Sequence, residues 1–583
     1  MNNEPQKIFQ KRITILAFFF FLWLVGLVLR LIQIQVINHS RLKNEALNQN
    51  RNIDIYSPKR GTIYDRNGKI LALSLPVDSV FLTPFENENI QSQIEKINKL
   101  KKVLNLSSKE VQRIKSRIEK KDPFIWIKRK ITPQQSEKVK ELRLTGIFLK
   151  EENKRFYPQG RLAAHILGGV SIDESGLSGI EFSHDAILGG KKGKRLILRD
   201  AKKRKYRFEV LTAPESGKDM ILTIDETIQY IAEKELERAV LERGAKWGLV
   251  IISEPSNGEI IALANYPSYD PNKFPPSPIE RSRNRAIHHN FEPGSTFKIV
   301  TASAALETNR VNLSDKFHCR NGVIHLAGRS ILDHKKFDLL SFPEVIQYSS
   351  NIGAILIGQR VGEASFYKTI RAFGFGKKTG IDLPGEEKGI FREVRNWSKL
   401  SLASLSFGQE ISVTAIQMLQ ALNVIANRGL ITNPRVVKKI IISSNEAREN
   451  TTNHRRIISE ATASTMANIL ERVVQKGTGR KAQIKGFRIA GKTGTAQKFD
   501  PIIGTYSSRV HTASFVGFAP VGQPAFSMIV VIDEPKIEYF GGDVAAPLFR
   551  KIAQQVLLHL RIFPKKEKSK TFLTAKLNRD LKR

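Results

Sequence analysis

The chain has 583 residues, 41% of them hydrophobic and 26% charged, a balance that suits globular domains and excludes a wholly disordered or fibrous polymer. Its 94 Lys and Arg against 56 Asp and Glu leave a net charge of +38, which points to polyanionic surroundings such as nucleic acid, anionic lipid or an acidic polymer. The lone cysteine, Cys319, excludes an intrachain disulfide framework, and no CxxC pair marks a zinc site.

Residues Ile13 to Leu29 carry no charge over 17 positions. As a helix this run is about 26 Å long, close to the ~30 Å of a bilayer core. Apolar residues continue through Leu31, Ile32, Ile34 and Val36, so 13–37 is expected to be a single transmembrane anchor, with Arg30 snorkelling to the interface. No small-x-small cleavage site follows, which argues against a removed signal peptide. Lys7, Lys11 and Arg12 precede the span, so residues 1–12 are expected in the cytoplasm. About +36 of charge then lies at or beyond the far side of the membrane, and nucleic acid is not an expected partner.

After the anchor, Asn38 to Asn52 reads as a polar helical stalk. In RGTIYDRNGKILALS, Asn67-Gly68 lies between two apolar runs, and the pair tolerates φ > 0 at both turn positions, which predicts a hairpin. Residues 86 to 155 mix Lys/Glu-rich helices with short strands, and the basic segment 191 to 205 is expected to be an exposed ribbon. The texture changes near Pro214. A helix from Glu226 carries Ile228, Ile231, Ala232, Leu236, Ala239 and Val240 along one face. Two strands flank Ser256-Asn257-Gly258, and mostly helical material is expected over 294 to 430. Strands Phe487 to Thr495, Thr512 to Phe518 and Ala525 to Ile532 precede a last helix, Ala546 to Leu560. The order of elements predicts an α+β multidomain chain whose larger domain is an antiparallel sheet flanked by helices. The expected divisions are 1–12, 13–37, 38–214, 215–562, and a basic, disordered tail at 563–583.

The sharpest local pattern is Glu292-Pro293-Gly294-Ser295-Thr296-Phe297-Lys298. Pro-Gly turns the chain and IVTASAALE continues as a helix, so Ser295 sits in the first turn with Lys298 at i+3 on the same face. A serine needs a base to act as a nucleophile, and a neutral amine can serve. Ser349-Ser350-Asn351 interrupts an apolar helical stretch, where polar side chains need a buried partner or a cleft. Lys492-Thr493-Gly494-Thr495 ends a strand, and its glycine is expected to admit a substrate backbone. Other copies of these short motifs fall in unsuitable settings. They are Ser365 to Lys368, Ser282-Arg283-Asn284, Ser443-Ser444-Asn445 and Lys378-Thr379-Gly380. His318, Cys319, His325 and His334 match no common zinc spacing, so no metal is expected.

Ser-x-x-Lys, Ser-x-Asn and Lys-Thr-Gly in this order, here 54 and 143 residues apart, are the signature of penicillin-binding proteins and serine β-lactamases. More of the chain resembles class B penicillin-binding proteins, the membrane-anchored peptidoglycan D,D-transpeptidases. RGTIYDRNGKILA, YPQGRLAAHILGGV and SGLSGIE are similar to their pedestal motifs. LTIDETIQ, SNGEIIALANYPSYDPN, FEPGSTFK, YSSNIGA and AGKTGTAQ are similar to their catalytic domain. VIDEPKIEYFGGDVAAPLF resembles division (septal) enzymes more than elongation enzymes, and no glycosyltransferase domain precedes the pedestal.

The resemblance implies a pedestal of dimerisation type over 38–214 and a transpeptidase domain with a five-stranded antiparallel sheet over 215–562. It implies Ser295 as nucleophile, Lys298 as general base, and Ser349 and Asn351 as residues that link Lys298 to the proton path and hold the substrate amide. Lys492 and the hydroxyls of Thr493 and Thr495 would hold the terminal carboxylate, Gly494 would complete the substrate-binding strand by admitting the substrate backbone, and the N–H groups of Ser295 and Thr495 would form an oxyanion hole. It further implies D-Ala-D-Ala stem peptides as donor, an amine of a second stem as acceptor, β-lactams as covalent inhibitors and no cofactor. A polytopic glycosyltransferase and other division proteins would be partners, and the catalytic domain would be extracytoplasmic. Two other readings stay open from the residues. A non-catalytic scaffold or sensor is opposed by the intact motifs and the short cytoplasmic segment. A hydrolase of carboxypeptidase or β-lactamase type is opposed by the pedestal.

Overall fold

The computed structural model describes residues 4–85, 88–199, 205–276, 278–443, 446–449, 451–500 and 504–564. The tail expected over 563–583 lies, from Lys565 on, outside the described residues. The described chain divides into two compact units, residues 4–59 with 190–217, and residues 60–189 with 218–564.

In the first unit, helix Glu4–Ile32 runs on through a π-helical turn, Gln33–Ile37, to the stalk helix His39–Asn50. Every residue from Lys7 to Ile37 is exposed. A 31-residue apolar helix of mean hydropathy 2.6 with no protein packed on it fits a single membrane anchor. Strands Arg51–Tyr56, Gly193–Arg199 and Lys205–Thr212 form an antiparallel sheet in that order.

In the second unit, a seven-stranded sheet joins distant parts of the sequence. Ile63–Tyr64 pairs parallel to Asp219–Leu222, which in turn pairs with Val437–Ser443. Ile70–Leu82 carries Ile125–Lys128 and Ile147–Phe156. Helices Ile90–Leu104 and Ser108–Glu119 bury Ile97, Leu100, Leu104, Ile114 and Ile118 against Val80, Leu82, Ile125 and Ile127. The hairpin at Asn67-Gly68 forms, but only Gly68 has φ > 0, at +86°. Asp65 takes over the turn: its Oδ1 accepts from Asn67 N and Lys69 N at 2.8 Å each, which closes a longer loop ending in a glycine bulge.

The five-stranded antiparallel sheet is present. Its order is Ile260–Tyr266, Trp247–Ser253, Phe526–Asp533, Thr505–Ala519, Ala490–Asp500. Strand alternation divides its side chains between two cores. Val250, Ile252, Phe515 and Val530 pack under helices Glu226–Glu242 and Gly541–His559. Leu249, Ile251, Val516 and Ile529 face the core that holds helices Lys298–Glu307, Ala415–Ala426 and Glu460–Lys476. The expected helical stretch 294 to 430 also contains two small ribbons. Lys316–His318 pairs with Leu339–Ser341, and Val323–Leu326 with Arg329–Leu332. Ala327 and Gly328 both adopt φ > 0, a turn that an Ala-Gly pair does not announce.

A buried ion cluster holds the pedestal motifs together. Glu181, fully buried, accepts from Arg60 Nε at 2.5 Å and Arg155 Nε at 2.6 Å. Arg60 also donates to Asp185 Oδ1 and to the carbonyls of Glu174 and Glu181, and Arg155 to the carbonyl of Gly61. Glu181→Ala would leave two guanidinium groups without their shared carboxylate inside the protein, and a loss of about 3–5 kcal/mol is expected in denaturant unfolding.

Candidate active site

Pro293 and Gly294, the latter at φ +53°, turn the chain into one 3-10 turn, Gly294–Phe297, from which helix Lys298–Glu307 continues. Gly294, Thr296 and Phe297 are buried, while Ser295 alone in this turn keeps partial exposure. Lys298 lies one turn on and is fully buried, its Nζ 3.1 Å from Ser295 Oγ.

The Ser-x-Asn motif falls at a break between two helices. Helix Phe342–Tyr348, started by a Ser341/Glu344 capping box, ends at Ser349 in the left-handed region, φ +63° and ψ +37°. Ser350 caps helix Asn351–Val361 by accepting from Gly353 N at 2.9 Å. The left-handed residue costs roughly 1–2 kcal/mol outside glycine. It sets both Ser349 oxygens against lysines. Lys298 Nζ donates to Ser349 O at 2.7 Å, lies 3.3 Å from Ser349 Oγ, and donates to Asn351 Oδ1 at 2.8 Å. Lys492 Nζ donates to the same Ser349 Oγ at 2.8 Å and to Thr493 O at 3.1 Å.

Two lysine amines therefore share one hydroxyl in a buried site. Burial pushes Lys298 down to about 7, against the opposing charge of Asp333. Lys492 is held well below the usual lysine range by burial and then by Lys298.

Thr493, Gly494 and Thr495 lie on strand Ala490–Asp500, beside the turn that carries Ser295. The room at Gly494, expected for a substrate backbone, is taken by the chain itself. A Cβ there would lie 2.3 Å from Ser514 Oγ, 2.8 Å from Thr296 Cγ2 and 3.0 Å from Pro293 O. The turn and the strand approach each other only because this residue has no side chain.

The structure thus gathers Ser295, Lys298, Ser349, Asn351 and Lys492 into one hydrogen-bonded group, with Thr493, Gly494 and Thr495 alongside. The competing motif copies go elsewhere. Thr379 N, Thr379 Oγ1 and Gly380 N all donate to the Glu386 carboxylate, so that Lys-Thr-Gly is a closed loop. Lys368 is exposed on helix Glu363–Ala372, and Asn284 pairs with Asn265. Of Ser443-Ser444-Asn445, the last two lie outside the described residues. Cys319 is buried with its Sγ 3.5 Å from Ser350 Oγ, His325 Nδ1 meets Ser330 Oγ, and His318 lies 3.1 Å from Asp338.

Sequence reasoning missed Asp333, which follows the ribbon strand Arg329–Leu332. Its carboxylate accepts from Ser350 Oγ at 2.6 Å, from Asn351 N, and from Ile352 N at 3.3 Å. The neighbouring Leu332 carbonyl accepts from Asn351 Nδ2 at 3.0 Å, which turns Asn351 Oδ1 toward Lys298. No spacing rule connects Asp333 to Asn351; the contact exists only once the ribbon has folded.

Residues 248–554 match the penicillin binding protein transpeptidase domain, and residues 55–222 match the penicillin-binding protein dimerisation domain. The chain belongs to the class B penicillin-binding proteins. Among its relatives, stage V sporulation protein D of Bacillus subtilis is 37% identical over 88% of this chain and 80% of that one. Peptidoglycan D,D-transpeptidase FtsI of Escherichia coli is 33% identical over 97% of this chain and 94% of that one. The solved penicillin binding protein 3 of Mycobacterium tuberculosis superposes with a TM-score of 0.69 at 28% identity, covering 88% of this chain and 98% of that one. The same protein has been solved in complex with aztreonam and with ampicillin.

Within this class B penicillin-binding protein, Asp333→Ala removes the acceptor shared by one hydroxyl and two helix N–H groups. Denaturant unfolding should show a loss of about 1–3 kcal/mol, and penicillin acylation should slow as Asn351 loses its orientation.

Proposed function

We propose that this protein is a serine D,D-transpeptidase that cross-links peptidoglycan stem peptides in septal wall synthesis, with residues 215–562 as the catalytic domain and 38–214 as the pedestal. The arrangement of Lys298 carries the reading. Two of its possible donations are fixed by Ser349 O and Asn351 Oδ1. With a value near 7, the side chain is substantially neutral at physiological pH, and its lone pair then faces Ser295 Oγ at 3.1 Å.

In the acylation step Ser295 Oγ attacks the carbonyl between the two terminal D-alanines while its proton passes to Lys298 Nζ. The backbone N–H groups of Ser295 and Thr495 receive the negative charge that develops on the carbonyl oxygen. Lys298 returns the proton by way of the Ser349 hydroxyl to the departing D-alanine amine, leaving an ester on Ser295. An amine from a second stem attacks that ester. Its proton takes the reverse path, the new amide forms and Ser295 is regenerated. Thr493 and Thr495 hold the terminal carboxylate of the donor, and a β-lactam stops the sequence at the ester.

The cytoplasmic placement of residues 1–12 and the extracytoplasmic placement of the catalytic domain are supported by Lys7, Lys11 and Arg12 before the apolar helix. A polytopic glycosyltransferase is the partner we infer, since a transpeptidase cross-links stem peptides on glycan strands that must be polymerised.

Labelling of the purified chain with a fluorescent penicillin tests the mechanism. Ser295→Ala should give no adduct. Lys298→Arg keeps the charge but cannot accept a proton, and should lose roughly 10²–10⁴-fold in acylation rate. Lys492→Arg should keep part of the rate, and Lys378→Ala should label normally. Near-normal acylation by Lys298→Arg would remove lysine as the base, and rapid loss of the adduct would mark a hydrolase rather than a transpeptidase.

A further inference from the structure

The hydroxyls of Thr493 and Thr495 both have partners inside the chain. Gly541 N donates to Thr495 Oγ1 at 2.9 Å, and Thr493 Oγ1 lies 2.7 Å from Thr478 Oγ1. Gly541 opens the 19-residue helix Gly541–His559 and is pressed onto the strand. A Cβ on it would lie 2.2 Å from the Gly494 carbonyl oxygen and 2.4 Å from that of Ser514. A Cβ on Gly542 would lie 2.6 Å from Thr478 O. The glycine pair therefore brings a helix N-terminus, the Thr478 loop and the Lys-Thr-Gly strand together. Thr478 itself is held by its backbone N, which donates to Gln347 O at 3.3 Å, at the end of the helix that leads into Ser349.

A hydroxyl has one proton to give and lone pairs to receive others. The Gly541 amide can only donate, so Thr495 accepts from it and keeps its own proton for another acceptor. The Thr478 and Thr493 pair uses one proton between its two oxygens and has one left over. A carboxylate accepts only, so the proton that meets it from Thr493 is available when Thr478 is the donor within the pair. The helix N-terminus adds positive potential beside both threonines.

We propose that Thr478 is a positioning residue for carboxylate recognition: its hydroxyl donates to Thr493 Oγ1 and leaves the Thr493 proton for the substrate, so that Thr493 and Thr495 bind the carboxylate as a pair of pre-oriented donors. This rests on the reading of Thr493 and Thr495 as the carboxylate site. Thr478 then sets the preference for ligands that end in a free carboxylate over neutral ones.

The test compares acylation rate constants of the full, detergent-solubilised chain for benzylpenicillin and for its methyl ester. The unaltered protein should favour the free acid. Thr478→Val should lower that preference about tenfold, the size of one hydrogen bond to a charged group, mainly through weaker binding, while Thr478→Ser should restore it. Thr493→Val should erase most of the preference. If Thr493→Val loses the preference and Thr478→Val keeps it to within about twofold, the assignment to Thr478 is wrong and the carboxylate reading stands. If Thr493→Val also keeps it, the carboxylate reading itself is wrong. Equal losses for acid and ester in Thr478→Val would show a merely structural role and overturn the proposal. Thr478→Ala gives the same comparison should the valine variant not fold.

Discussion

Two lysine side chains with no exposure to solvent meet at the hydroxyl of Ser349, and the rest of the site is arranged around that conflict. In water each amine would hold its proton to beyond pH 10. Inside, burial strips the ammonium of Lys298 of the water that would solvate it, and at Lys492 the charge of Lys298 adds to the same cost. Bringing Lys298 to about 7 corresponds to roughly 5 kcal/mol of differential interaction. That energy is stored by the fold, and Asp333, reached through the Asn351 helix start, keeps it from growing larger. An amine that is substantially neutral near physiological pH is the outcome.

The fold keeps the two lysines together from opposite sides. Lys492 sits on the edge strand of the five-stranded sheet, and Lys298 on a helix packed in the adjoining core. Gly494 lets strand and turn close to van der Waals contact, so the strand cannot drift outward without opening a gap beside Ser295. The break at Ser349 supplies the third side. A continuous helix through Tyr348 to Asn351 would bond the Ser349 carbonyl within the helix; the left-handed residue frees it for Lys298. Backbone strain at one residue is thus exchanged for a buried hydrogen bond from Lys298.

The three motifs that meet in the structure were legible because each is local. Ser-x-x-Lys at a helix start, a polar tripeptide breaking an apolar run, and Lys-Thr-Gly in a strand each state their geometry within a few residues. The five-stranded sheet was legible for the same reason, since the fully buried strands Trp247–Ser253 and Phe526–Asp533 are mostly apolar, around the runs LVII and MIVVI. What escaped depends on residues far apart in sequence. Asp333 meets Asn351 only after the Val323–Leu326 and Arg329–Leu332 ribbon forms, and the short strand Ile63–Tyr64 finds Met220 and Ile221 across more than half the pedestal. The hairpin at Asn67-Gly68 is announced by its sequence, but its turn is set by the side chain of Asp65, so that only Gly68 takes φ > 0. The contacts that require glycine at 494, with Ser514, Thr296 and Pro293, likewise join segments far apart in sequence.

The account stands or falls on the protonation of Lys298, which can be read without any substrate. The full-length protein, labelled with ¹³C at lysine Cε and assigned by comparison with Lys298→Arg, should show one lysine resonance titrating near pH 7. A Lys298 resonance that stays in the ammonium position to pH 10 would contradict the account, because the side chain could then not serve as the base for Ser295.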